Sequence, residues 1–462
     1  MKKILFCFIS FFLTLQTISA QRDTEHWIAP YYDNSLSNYE NALYLSTDSV
    51  TPVSVNIYNN NILLTTVIIS KGNPRVYTVD RDLISADTPA EAFTRTTKGL
   101  YLQADRPFYC SLRIAEILHG EIITAKGKAG IGKLFYVAAS PNNNSSFFNF
   151  TAGILATEDN TTVTVSWNNP AITFLGGTPT TGTSHTFTLN RGQSFIFSGT
   201  GSNTANQTGF IGAKVVADKP VTLTNGSCNG NFGTIGAGSD IIMDQSVPTN
   251  RLGSTFAMVK TLSTRPALNT EGGIIIATED NTQIFLNGAT TPAATINAGQ
   301  WYRINETNYI TQPGTGNHSN MYISTSQKAY LYQLIGIGDQ DLNGGFNYIP
   351  PLSCLLPTTI DEIGLVNEMP GITDPINLKL NILTEAGANV LINGIPPTAA
   401  EGPYPLTGNT QWVTYAKEGI TGNLTVTSTK AVTAGINGGY STAGYGGYFA
   451  GFSSIPAITK TA

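Results

Sequence analysis

Short runs of alternating apolar and polar residues, each closed by a turn, fill this chain. In "VSVNIYNN" the residues Val53, Val55 and Ile57 share one face at a period of two, as do Val163, Val165 and Trp167 in "VTVSWNN". The pattern predicts half-buried β-strands rather than helices. These runs, with "QIFL" and "NVLI" further on, end at Asn-led turns: Asn59 and Asn60, Asn168 and Asn169, Asn287 and Gly288, Asn393 and Gly394. Asn and Gly tolerate the positive φ of a tight hairpin, so the recurrence has a conformational cause. Only "SADTPAEAF", Ser85 to Phe93, has helical character.

Three further landmarks recur in the same order. An apolar run ends in a Thr at Thr47, Thr157, Thr278 and Thr384. A Gly followed by an amide residue precedes a strand at Gly72, Gly192, Gly299 and Gly408. A basic residue beside Pro or Ala marks a turn at Arg106, Lys219, Lys328 and Lys430. Spacings run from 102 residues (Lys328 to Lys430) to 121 (Thr157 to Thr278). Independent landmarks at one period indicate a repeat. The expected architecture is all-β, with four tandem β-sandwich-like repeats of about 110 residues. Their bounds are 21–131, 132–250, 251–356 and 357–462. A closed propeller-like ring of four large β units is the alternative.

The repeats settle how to read "ATEDNT", which occurs at Ala156 to Thr161 and again at Ala277 to Thr282. A glycosidase needs two carboxylates facing each other across about 5 to 9.5 Å. Neighbours in a strand point to opposite faces, so Glu158 with Asp159, or Glu279 with Asp280, cannot form that pair alone. Asp followed by Asn and Thr suits a turn, because those side chains bond nearby backbone amides.

Composition narrows the function. Residues 1–20, with Lys2 and Lys3, an apolar run and "TISAQ", read as a signal peptide cleaved after Ala20, and no later segment reads as a membrane-spanning helix. Charged residues make up 12% of the chain and the net charge is -5, which disfavours nucleic acid as a partner. Cys228 and Cys354 lie in comparable Gly- or Pro-rich connections and are the pair expected to bridge, whereas Cys110 sits in an apolar strand and reads as core.

Two loops invite other chemistry. "GKAGIGKL", Gly127 to Leu134, has phosphate-loop spacing, but Leu134 replaces the magnesium-binding hydroxyl, so it reads as a flexible link. In "DQDLNGG" the oxygens of Asp339, Asp341 and Asn343, followed by Gly344, match the start of a calcium loop, although Pro350 stands where an EF-hand places its glutamate. His26, His119, His185 and His318 are scattered without zinc spacing.

The stretch from "VVADKPVTLTNGSCNGN" through Asp244, Gln245 and Pro248 to Gly253 and Phe256, with "IPPLSC" after it, resembles the IgGFc-binding protein N-terminal domain family. The resemblance implies an adhesion or interaction module of a bacterial surface. The expectation is a non-enzymatic, secreted or outer-surface protein that presents loops and aromatics such as Trp301, Tyr302 and Trp412 to an extracellular glycan or glycoprotein. An enzyme with a cleft between repeats, or a spacer in an envelope assembly, are the rival readings.

Overall fold

The computed structural model describes residues 21–33, 39–142, 146–177, 182–234, 237–338, 342–374 and 376–450. The proposed signal peptide lies outside them. The chain is all-β, and one pairing scheme recurs along it. At its centre is a long, bent strand followed by a short partner. These are β1 (Leu100–Ala115) and β2 (Gly120–Thr124), β3 (Lys214–Gly230) and β4 (Asp240–Gln245), then β5 (Ser319–Ile337) and β6 (Leu342–Tyr348). In the last instance the long strand is broken into β7 (Leu424–Ser428) and β8 (Val432–Tyr440), with β9 (Ala443–Ala450) as partner.

The bend makes each unit a sandwich. The first half of β1 pairs with strands 23–28 and 53–59, and its second half with strand 40–46 and β2. Thus one strand serves two sheets, and its side chains cross from one to the other at Ala104 to Pro107. β3 and β5 repeat the arrangement. Where the fourth long strand breaks, β7 stays in a three-stranded sheet and β8 in a five-stranded one.

The recurrent Thr residues hold these bends. The hydroxyls of Thr47, Thr157, Thr278 and Thr384 donate to the carbonyls of Pro107, Pro220, Lys328 and Ala431 at 2.9, 2.7, 2.9 and 2.8 Å. A landmark at the end of one strand therefore fixes the landmark at the bend of another, each bond satisfying a carbonyl that the ladder leaves open.

The Asn turns and the Gly-amide turns also meet, but between units. Gly192 lies against Asn60, and Asn61 donates to the Arg191 carbonyl at 2.9 Å. Gly299 lies against Asn168, and Gly288 against Gly408. The hairpin tips of the first three units therefore abut the Gly turn of the unit that follows, whereas Gly394 in the fourth meets nothing within 4 Å.

At the centre, β2 packs on β4 and β9, and β6 packs on β4 and β9, which closes a ring of four short strands. The sandwich and the ring, alternatives in the sequence, describe two levels of one arrangement. Apolar cores cross the unit borders: one runs from Ala129 to Ile349, and another joins Tyr109, Ala115 and Ile122 to the strands beyond residue 360. The insertion 80–99 likewise lays Phe93 on Phe174, Phe195 and Phe197 of the next unit. Its helical character amounts to two 3-10 turns, Arg81–Leu83 and Pro89–Glu91, the second bounded by a capping box of Thr88 and Glu91.

Candidate functional site

Buried charge marks the ring axis first. Glu121 on β2 accepts backbone N–H groups from Met243 of β4 and Gly446 of β9, both at 3.2 Å, and from Ile122 at 3.0 Å. Asp240 on β4 accepts from Gly120 at 2.9 Å, Ile241 at 2.7 Å and Gly444 at 2.6 Å. Burial pushes both carboxyls well above their usual range, while those peptide donors pull the other way. Asp244 takes Lys126 at 3.0 Å through both oxygens and the Tyr348 N–H at 3.0 Å. These carboxylates stitch strands of different units together.

The residues singled out from the sequence are placed as follows. Asp159 accepts the Arg191 N–H at 3.0 Å and Asp280 the Ala298 N–H at 3.1 Å. Thr161 and Thr282 each donate to the carbonyl three residues back at 2.7 Å, with Asn160 and Asn281 at φ 52 and 57. Both copies of the acidic segment are thus the same side-chain-bonded turn. Asp339 and Asp341 lie outside the described residues. Asn343 is fully buried: its oxygen accepts from Phe232 and Gly233, and its amide donates to Asn231. Its side chain joins the second and third units.

The Cys228 to Cys354 bridge is not formed. Cys228 is buried with its thiol toward Asp33 at 3.5 Å, whereas Cys354 is exposed on the connection after β6. Cys110 is core, as expected. The aromatics expected at the surface are packed instead: Trp412 is buried, and Trp301 and Tyr302 lie half-buried against the largest core. The proposed flexible link at Gly127 is a buried 3-10 turn, because Gly127, Gly130 and Gly132 close on Asp23, Gln245 and Pro248. Among the described residues, no three His, Cys, Asp or Glu converge as a metal site, and no helix is long and apolar enough to cross a membrane.

A site with room for a ligand is a groove of about 1000 Å³ between the third and fourth units. Loop 260–266, the ends of β5 and strands 377–385 and 409–418 form its walls. The loop is wound on a buried carboxylate: Glu271 accepts the N–H groups of Thr261 at 2.8 Å and Ser263 at 2.5 Å. Burial raises its pKa and Lys260 opposes that. From the facing unit, Lys379 donates to the carbonyls of Lys260 at 2.8 Å and Thr261 at 3.1 Å, and burial lowers its pKa. His318 lies on the floor, stacked on Tyr404 at 4.4 Å with 6° between the rings and 2.8 Å from the Thr414 hydroxyl. Burial, aided by Lys379, pushes its pKa down to about 3.

Sequence reading noted His318 only as scattered and missed Lys260, Glu271 and Lys379 altogether. No local signal could have grouped them, since they sit on separate elements of two units.

No curated protein matches the chain. Among solved structures, the GH78 family rhamnosidase of Bacillus sp. GL1 aligns at 9% identity over 74% of this chain and 55% of that one, with a TM-score of 0.11. The Salmonella alpha-2-macroglobulin reacted with methylamine aligns at 8% identity over 94% of this chain and 40% of that one, also at 0.11. Likenesses at that score carry no argument. The family model described as IgGFc binding protein matches residues 123–438, more than half of the chain and including the ring strands β4 and β6 in full, and the chain belongs to that family.

Proposed function

We propose that the mature chain is a secreted, non-enzymatic binding protein that offers the groove between its third and fourth units to an extracellular glycan or glycoprotein. The observation that carries this reading is how the groove spends its charge. Lys379 and Glu271 hold the loop that forms the wall, so these two charged groups build the shape of the site. A general acid or base must instead reach a substrate proton within hydrogen-bond distance. Membership in a family described by binding supports the same reading.

The test is a binding screen of residues 21–462 against a glycan array, mucus glycoproteins and immunoglobulin Fc, run with calcium and with a chelator. Saturable binding that a bulky substitution at the groove rim abolishes is the expected result. Silence across the panel, or turnover of a bound glycan, would overturn the proposal. The chelator arm tests Asp339 and Asp341 as cation ligands.

A further inference from the structure

Lys260, Lys379 and Glu418 are the charged residues that line the groove, and both lysines are engaged. Lys260 meets Glu306 at 3.1 Å and Glu271 at 3.9 Å, and its ammonium also donates to the Ser263 carbonyl. Lys379 gives two protons to the loop carbonyls, and Glu418 is its partner across the ladder.

What remains for a ligand, apart from the exposed Glu418, is neutral. The exposed amides of Asn317 and Asn377 and the hydroxyls of Thr264, Thr311 and Ser319 line the opening. Leu262, Pro266, Ile337 and Ala416 supply apolar surface between them. Few oriented polar groups on an apolar lining, in a volume near the top of the roughly 300–1000 Å³ range of ligand sites, suit a ring compound with many hydroxyls.

Resting on the binding role proposed above, we infer that the groove selects neutral oligosaccharides and rejects sialylated or sulfated forms of the same glycan. An acidic sugar entering it must give up water for a site where, among the described residues, the two lysines that line it are already engaged. Recruiting Lys260 or Lys379 would release the loop that forms the wall. Leaving the acid unpaired beside Glu418 adds like-charge repulsion to the loss of hydration. A neutral sugar meets neither cost.

The experiment titrates residues 21–462 with a fluorescent poly-N-acetyllactosamine oligosaccharide and with its sialylated counterpart. The neutral form is expected to bind at least about tenfold more tightly, equivalent to about 1.4 kcal/mol. Glu418→Lys, at an exposed position, supplies a spare cation and narrows the gap by strengthening the sialylated ligand. Thr264→Trp fills the rim and abolishes neutral binding. Equal or tighter binding of the sialylated form overturns the charge rule and leaves the binding role standing. Capture of mucus polypeptide or Fc that Thr264→Trp blocks, with no oligosaccharide binding, overturns the ligand class alone. Silence toward every probe removes both.

Discussion

Replacing Gly288 by Ala should weaken the seam between the third and fourth units, and Gly394 provides a matched control. Both glycines occupy the same position in an Asn-Gly turn, with φ of 77° and 79°. Each pays the cost of placing an L side chain in the left-handed region, roughly 1 kcal/mol. They differ in what a Cβ would meet. At Gly394 nothing lies within 4 Å, whereas at Gly288 the Gly408 Cα of the next unit is 2.5 Å away. That neighbour is backbone in a second positive-φ turn, at 87°, so it cannot rotate aside. Overpacking of this kind adds about 1–3 kcal/mol. Gly394→Ala is therefore expected to cost about 1 kcal/mol and Gly288→Ala about 2–4 kcal/mol. A chain with several linked units need not unfold in one step, so the local readout matters. Hydrogen exchange of the Asn287 and Ala289 amides, bonded to the Tyr322 and Leu286 carbonyls, reports the seam. Exchange there should rise roughly 5- to 150-fold in Gly288→Ala beyond the change at the matching turn in Gly394→Ala. Equal costs within about 0.5 kcal/mol would refute the claim that these turns are inter-unit contacts.

Three other outcomes are expected. His318, with its pKa pushed to about 3, resists protonation in the folded state but not in the unfolded one, so its contribution is complete above pH 6.5 and lost as pH falls toward 3. His318→Gln should remove roughly 2–3 kcal/mol of the loss between pH 7 and 4.5, read as wild type against variant because Glu121 and Asp240, raised by burial, favour the fold as pH falls. A denaturation series in which the variant keeps the full slope would sink the assignment. Arg113→Met should loosen the closure between the first and last units by on the order of 3 kcal/mol, because the guanidinium donates to the carbonyls of Leu365, Glu368 and Gly364 at 2.5, 2.6 and 3.0 Å and lies over Tyr44. Limited proteolysis between residues 364 and 374 should quicken, and an unchanged rate would count against that role. A thiol reagent should label Cys354 alone in the native mature chain and all three cysteines after denaturation without reductant; a single reactive thiol after denaturation would restore the expected bridge.

Each landmark was legible because its chemistry is local. Alternation of Val53, Val55 and Ile57 dictates a strand with one buried face, and Asn-Gly dictates a hairpin turn, whatever surrounds them. The recurrence of such pieces set the all-β class and the acidic segments as turns. What each landmark touches was decided only in three dimensions. Thr157 meets a carbonyl 63 residues away, and Gly288 meets a turn 120 residues on at Gly408. The bridge between Cys228 and Cys354 failed for the same reason: similar flanking residues say nothing of depth, and the fold buried one thiol and exposed the other. The ring closes through peptide N–H groups bound by Glu121 and Asp240, and a backbone donor leaves no mark in a sequence. The groove is likewise tertiary, because Lys379 and Glu271 shape one loop from two units and their charges acquire meaning only once buried together.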